Sequence, residues 1–188
     1  MTLRRGIQSN DGLAQGHGER PSTKAQGCPE FIEGRSRTMR HKVAAIVPAA
    51  GFGKRLGAEE KKPFVSLAGK PLITYALKAL DSSKCIDEIY VAADRGSIKR
   101  LKGIINKYGI KKVVKVVAGA SSRAGSVKNC FDLIDPLCGI VLIHDGARPF
   151  PGSSDIMNSV SLAGKFGGCV TAIPMTDTVK LADGGLFV

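Results

Sequence analysis

From Val43 onward, short unbroken apolar runs alternate with stretches where apolar residues recur every three or four positions. The runs are Val43–Val47, Glu88–Ala93, Val113–Val117, Gly139–Ile143 and Cys169–Ile173. Continuous apolar runs of this length predict strands buried on both faces. Between them, Pro71–Leu80 places Ile73, Ala76, Leu77 and Leu80 at helical spacing, with a proline at its first turn, where its missing N–H costs nothing. Ser97–Tyr108 does the same with Ile98, Leu101, Ile104 and Ile105, and Ser126–Ile134 and Ser154–Ala163 complete the helical set. Regular β–α alternation predicts an α/β, Rossmann-like fold, with a mostly parallel sheet and helices on both faces. Such a sheet binds its ligand beyond the carboxyl ends of the strands. The informative residues are therefore those that follow each run.

Residues 1–38 carry no such periodicity. They hold six glycines, two prolines and scattered charge, and are expected to be a disordered extension ahead of one domain over residues 39–188. Met39, four residues before the first run, is the expected natural start. No apolar h-region marks a secretory signal. The acidic Asp11, Glu19, Glu30 and Glu33 argue against a plastid transit peptide, which leaves a cytoplasmic protein as the expectation and a plastid as the alternative. No window reaches the length of a membrane span.

Composition narrows the partners. With 43% apolar residues the chain can bury a sizeable core, and its five cysteines, scattered and without a C-x-x-C pair, argue for a reducing compartment over a disulfide framework or zinc site. Cys85, Cys130 and Cys169 read as small core fillers. The formal charge of +12 fits nucleic acid, a membrane surface or anionic small substrates. Only 5% of residues are aromatic and none is tryptophan, which argues against nucleic acid. Many of the cations fall between Lys99 and Lys115, on the expected wet face of a helix. The cations beside glycines are the ones that suggest chemistry.

The first run opens into Pro48-Ala49-Ala50-Gly51-Phe52-Gly53-Lys54-Arg55-Leu56-Gly57. Two close glycines let backbone N–H groups converge on a phosphate chain, and the cations that follow neutralise its charge. The spacing matches neither the dinucleotide G-x-G-x-x-G nor the P-loop. The third, fourth and fifth runs also end in small residues plus a charge. Lys61-Lys62-Pro63-Phe64 follows the glycine loop. Gly119-Ala120-Ser121-Ser122-Arg123-Ala124-Gly125-Ser126-Val127 follows the third run, His144-Asp145-Gly146-Ala147-Arg148-Pro149 the fourth, and Asp177-Thr178-Val179-Lys180 the fifth. Taken singly each has an ordinary explanation. Arg123 reads as a surface arginine, Ser126 as an N-cap, His144 as a core or surface histidine, and Asp145 with Arg148 as a local ion pair. Four strand ends with the same chemistry are harder to assign to packing.

Together these motifs resemble the 2-C-methyl-D-erythritol 4-phosphate cytidylyltransferase family, over Lys42 to about Lys180. H-D-x-A-R-P together with R-x-x-S-V is the most specific part. The resemblance implies a fold of the nucleotide-diphospho-sugar transferase type. It also implies transfer of a cytidylyl group from CTP to 2-C-methyl-D-erythritol 4-phosphate, with Mg²⁺ and release of pyrophosphate, in non-mevalonate isoprenoid precursor synthesis. It implies that Ala49, Ala50, Gly51 and Gly53 wrap the triphosphate and base, and that Arg55 and Lys62 are the catalytic cations. Gly119, Ala120, Ser121, Arg123 and Ser126 would read cytosine and ribose. Asp145 and Gly146 would lie on the nucleotide side, Asp145 as a candidate Mg²⁺ ligand. Arg148 and Thr178 would touch the acceptor phosphate across a homodimer interface.

Ala120 stands where the family usually has glycine, Ser121 where an acidic residue is common, Gly146 where alanine is usual and Pro63 where glutamine is frequent. The family also continues past the Asp177–Lys180 element, so the domain is expected to be incomplete at its C-terminus, to bind CTP weakly and to turn over poorly. The alternatives are a cytidylyltransferase for ribitol phosphate or another polyol phosphate, and an inactive nucleotide-binding remnant.

Overall fold

The computed structural model describes residues 2–4, 41–51, 60–174 and 176. In chain order the strands are β1 (Thr2–Arg4), β2 (Val43–Ala49), β3 (Ser66–Leu67), β4 (Lys70–Pro71), β5 (Glu88–Ala93), β6 (Val113–Ala118), β7 (Ile140–Ile143) and β8 (Gly168–Cys169). The α-helices are α1 (Leu72–Ser82), α2 (Ile98–Lys107), α3 (Arg123–Phe131) and α4 (Ser153–Phe166), with 3₁₀ turns at Lys62–Phe64 and Arg95–Ser97.

The main sheet has the order β6-β5-β2-β7-β1-β8. β2 pairs in parallel with β5 on one side and β7 on the other, and β5 pairs in parallel with β6. β2 sits at the centre, and Val43 to Val47 are all buried, as an unbroken apolar run requires. Its side chains alternate between two cores. Val43, Ala45, Val47 and Ala49 pack with Ile73, Leu77 and Leu80 of α1, Leu101 of α2 and Ile156 of α4. Ala44 and Ile46 pack on the opposite face with Tyr90, Ala92 and Cys130 of α3. The expected α/β fold with helices on both faces is thus present. Among the described residues no helix is long and apolar enough to cross a membrane.

Several boundaries differ from expectation. Thr2–Arg4 do not lie outside the fold with the rest of residues 1–38. They form β1, antiparallel to both β7 and β8. Residues 5–40 lie outside the described residues. The fifth run was expected to be a strand over Cys169–Ile173, yet β8 ends at Cys169. Among the described residues its partner is β1, whose pairing reaches no further than Thr2–Cys169, and Val170 and Ile173 are exposed. Pro71 caps α1 from outside the helix. α3 starts three residues earlier than expected, because Ser122 and not Ser126 is its N-cap, its side chain accepting from the Gly125 N–H at 3.0 Å. The β3–β4 hairpin was not expected. Its turn places Ala68 at φ 47° and Gly69 at φ 76°, the backbone a two-residue hairpin needs. Cys130 is a buried free thiol pushed up to about 12 by burial, and Cys169 is a half-buried free thiol. Cys85 is buried but disulfide-bonded, contrary to the reduced state expected for it.

Tyr90 gives the fold a testable pH dependence. Its ring is buried and its hydroxyl donates to Glu88 Oε2 at 3.0 Å. Burial first, then the Glu88 carboxylate, pushes the phenol from 10.0 up to about 12. A raised folded value means the contribution is fully present below pH 10 and is lost as the pH rises towards 12. Urea titrations across that window should show a fall in stability that is shallower in Tyr90→Phe. An identical slope would rule the phenol out. Lys42, paired with Glu88 at 2.6 Å and also raised, titrates in both proteins and so cancels in the comparison.

Candidate active site

The carboxyl ends of β2, β5, β6 and β7 lie side by side, and the segments that follow β2, β6 and β7 line one open cleft of about 500 Å³. Of the residues singled out in the sequence, Ala49, Ala50, Gly51, Lys62, Ala120, Ser121, Arg123, Ser126, Asp145 and Arg148 line it. Gly53, Arg55 and Thr178 lie outside the described residues. Pro48, Pro63, Ser122 and Ala147 also line the cleft and were not singled out as site residues. Pro48 and Ala147 hold fixed positions in the quoted motifs, but none of the four carries a charge by which sequence would mark it.

Gly119 and Gly146, also singled out in the sequence, do not line the cleft but pack directly behind its lining. A Cβ on Gly119 would fall 2.3 Å from the Ala50 Cβ and 3.0 Å from Ser126 Oγ. One on Gly146 would fall 3.0 Å from the Ala49 Cβ and 3.1 Å from Val47 Cγ1. The Gly146 N–H donates to the Pro48 carbonyl at 3.1 Å, and that of Gly119 to the Ala93 carbonyl at 2.8 Å. Both glycines let neighbouring strand ends close on each other. Gly125 does the same one turn into α3, where a Cβ would meet that of Ala120 at 2.7 Å.

Ser126 is 3% exposed and ties the turn after β6 to α3. Its Oγ accepts from the Ala120 N–H at 3.0 Å and donates to the Ser122 carbonyl at 2.9 Å. Ser126→Ala would leave the Ala120 N–H without that partner. It should cost about 1–3 kcal/mol in a urea titration, the penalty for stranding one part-buried donor. A loss below about 0.5 kcal/mol would mean that water replaces the hydroxyl.

The charges converge from separate segments. Asp145 Oδ1 accepts from Arg123 Nε at 2.8 Å and lies 2.8 Å from Arg123 Nη2. Asp145 Oδ2 lies 3.3 Å from Arg148 Nε. One carboxylate therefore holds two arginines, one from the start of α3 and one from the loop after β7. The side chains are 57% (Arg123) and 78% (Arg148) exposed, so both guanidinium groups keep donors facing the cleft. The Arg148 carbonyl lies 2.9 Å from His144 Nε2, which assigns the histidine to shaping the loop. Lys62 enters from the opposite wall, on the 3₁₀ turn whose Pro63 and Phe64 are buried.

Behind that turn, away from the cleft, the Lys61 ammonium pairs with Asp94 Oδ2, which also accepts from the Gly96 N–H at 3.1 Å. The Lys61 hydrogen bond holds the Asp94 carboxyl below its ordinary range. Asp145 is the one carboxylate among the described residues lining the cleft, and no cluster of three metal-ligating side chains occurs among the described residues. These residues do not form a metal centre by themselves.

A family model described as 2-C-methyl-D-erythritol 4-phosphate cytidylyltransferase matches residues 43–188. The Alkaliphilus metalliredigens protein of that name is 42% identical over 140 residues, 74% of this chain and 58% of the relative. The Pelotomaculum thermopropionicum protein of the same name is 38% identical over 148 residues, 78% of this chain and 62% of the relative. The chain thus spans about three fifths of the length of these curated relatives. Among solved structures, the 4-diphosphocytidyl-2C-methyl-D-erythritol synthase of Anaerococcus prevotii superposes with a TM-score of 0.68 at 28% identity, over 78% of this chain and 61% of that one. A CMP:2-keto-3-deoxy-manno-octonic acid synthetase solved with CTP shares the fold, at TM-score 0.54 and 18% identity over 66% of this chain and 48% of that one.

Proposed function

The chain belongs to the 2-C-methyl-D-erythritol 4-phosphate cytidylyltransferase family, and on that premise we propose that its cleft binds CTP for cytidylyl transfer to a sugar-alcohol phosphate. The observation that carries this reading is the convergence of Lys62, Arg123 and Arg148, from three separate segments, on one cleft whose lining is backed by close-packed glycine turns. In the reaction an oxygen of the acceptor phosphate attacks the α-phosphorus of CTP. The bond from that phosphorus to the bridging oxygen breaks, and pyrophosphate leaves with the electron pair. A phosphate monoester is largely dianionic at neutral pH, its second pKa being about 6, so the attack needs little help from a base. It needs anion–anion repulsion suppressed and the charge building on the α-phosphate stabilised.

Each residue's task follows. Gly51 and Ala50 bring backbone to the phosphates. Arg123 holds the nucleotide side and Arg148 the acceptor phosphate, with Asp145 fixing both guanidinium groups. Lys62 supplies charge at the reacting phosphate. Arg55 and Thr178 belong to the same reading through the family resemblance, as do Gly53, the base and ribose contacts of Ala120, Ser121 and Ser126, and a cytoplasmic homodimer. Mg²⁺, bound to the triphosphate, would neutralise phosphate charge, with Asp145 the nearest candidate ligand.

Calorimetric titration of the chain with CTP, UTP and ATP in Mg²⁺ tests the nucleotide half. Selective binding of CTP, weakened at least about tenfold in Arg123→Ala, is expected. Failure of a folded sample to bind any nucleotide would overturn the reading in favour of a remnant. Product assays with methylerythritol phosphate and ribitol phosphate separate the two acceptors.

A further inference from the structure

The two cavities flanking the Lys62–Phe64 turn point to a device the reaction chemistry does not itself require. The turn is a partition. Lys62 and Pro63 face the cleft, while Lys61 and Phe64 face a second, open cavity of about 390 Å³, with Ser97 and Arg100 on its far side. Within the turn only two backbone hydrogen bonds hold the shape, Phe64 N–H to the Lys61 carbonyl at 2.8 Å and Val65 N–H to the Lys62 carbonyl at 3.3 Å. Pro63 has no N–H to add a third. Three residues of 3₁₀ helix have little stability of their own. The turn must be held from outside.

Beyond the buried Pro63 and Phe64, which seat the turn in the core, two polar contacts among the described residues do so, both from the second cavity. The Lys61 ammonium pairs with Asp94, at the carboxyl end of β5, where Asp94 also caps the Arg95–Ser97 turn through the Gly96 N–H. One turn further on, the Arg100 guanidinium lies 4.7 Å above the Phe64 ring and is 2.6 Å from the Glu60 carboxylate. Lys61 and Asp94 are only 30% and 25% exposed as side chains, whereas Arg100 and Glu60 are 53% and 41% exposed. The better-shielded first pair is the stronger candidate for a fixed anchor.

We propose that the Lys61–Asp94 ion pair is a positioning device for Lys62, pinning the turn to the end of β5 so that the Lys62 ammonium is held towards the cleft. This inference rests on reading the cleft as a CTP site. Lys61 and Asp94 do not line the cleft, so they act through Lys62. A displacement of about 1 Å at a charge that stabilises a transition state is enough to cost a tenfold to hundredfold in rate, with little effect on ground-state binding.

Asp94→Asn tests it cleanly, since asparagine keeps the cap on Gly96 while losing the ionic partner. Lys61→Met keeps the aliphatic stem, and the double variant Lys61→Met/Asp94→Asn removes the pair from both ends while keeping the cap. Hydrogen exchange of the Phe64 and Val65 amides should speed up at least about tenfold in both single variants, and in the double variant by no more than about threefold beyond either single one. Single-turnover pyrophosphate release should fall about tenfold in the single variants while the CTP Kd moves less than about threefold, and the double variant should match them. Unchanged amide exchange in the single variants, or losses that add in the double variant, would overturn the proposal. Absence of CTP binding by the unaltered chain would sink the reading of the cleft instead, and the amide exchange would still decide whether the pair pins the turn.

Discussion

Lys62→Ala should lower single-turnover pyrophosphate release by about a hundredfold or more while shifting the CTP Kd by less than about threefold. The asymmetry comes from where the charge is needed. On the proposed reading, CTP in the ground-state complex would already have other cations for its charge. The extra charge on the α-phosphate appears only as the acceptor oxygen attacks. A cation directed at that position stabilises the transition state more than the complex that precedes it, so its loss appears in the rate.

The local structure makes this substitution clean. Lys62 is exposed to the cleft, whereas the two residues after it, Pro63 and Phe64, are the ones that anchor the turn in the core. Removing the Lys62 side chain deletes no core contact, and the melting temperature should stay where it is. A turnover within about threefold of the unaltered chain would show that Lys62 has no role at the reacting phosphate. A matching loss of CTP affinity would move its role to uniform binding of the triphosphate.

The sequence made the layer structure legible for a simple reason. A strand buried on both faces has no polar positions, and β2, β5 and β7 carry almost none. Helix faces were equally clear, with Ile73, Ala76, Leu77 and Leu80 all buried as their spacing required. What failed was whatever depends on a partner distant in the chain. Residues 170–173 look like strand, yet β1 offers them no ladder beyond Cys169. Thr2–Arg4 have no apolar run to announce them and are recruited by the edges of β7 and β8. The β3–β4 turn needs a positive φ at Ala68, a residue that seldom signals one.

The same division holds at the cleft. Small residues beside charges at four strand ends were visible in sequence, and those lying among the described residues converge there. That one carboxylate, Asp145, grips both Arg123 and Arg148 was not visible, because 22 residues separate Arg123 from Asp145. The Lys61–Asp94 pair, 33 residues apart, was hidden for the same reason.

Gly119→Ala should be the most damaging one-carbon change at the cleft, because no side chain can yield to it. The new Cβ would lie 2.3 Å from the Ala50 Cβ, where atoms in folded proteins do not meet. Ala50 directly follows β2, the central strand, so it cannot retreat without moving the loop that carries Gly51. Gly119 cannot retreat easily either, since its N–H is held by the Ala93 carbonyl at 2.8 Å. Over-packing of this kind costs about 1–3 kcal/mol, which for a chain of this size is a fall of roughly 3–10 °C in melting temperature.

If the nucleotide lies between the two loops, the CTP Kd should rise by at least about tenfold, because separating them relieves the strain. Gly51→Ala is the control that separates strain from contact. Gly51 also lines the cleft, but a Cβ there meets nothing within 4 Å, so its melting temperature should not change. Any affinity it loses reports close approach of the ligand to the backbone. If Gly119→Ala melts lower and still binds CTP as tightly as the unaltered chain, the two loops close on each other for the sake of the fold, and the nucleotide does not lie between them.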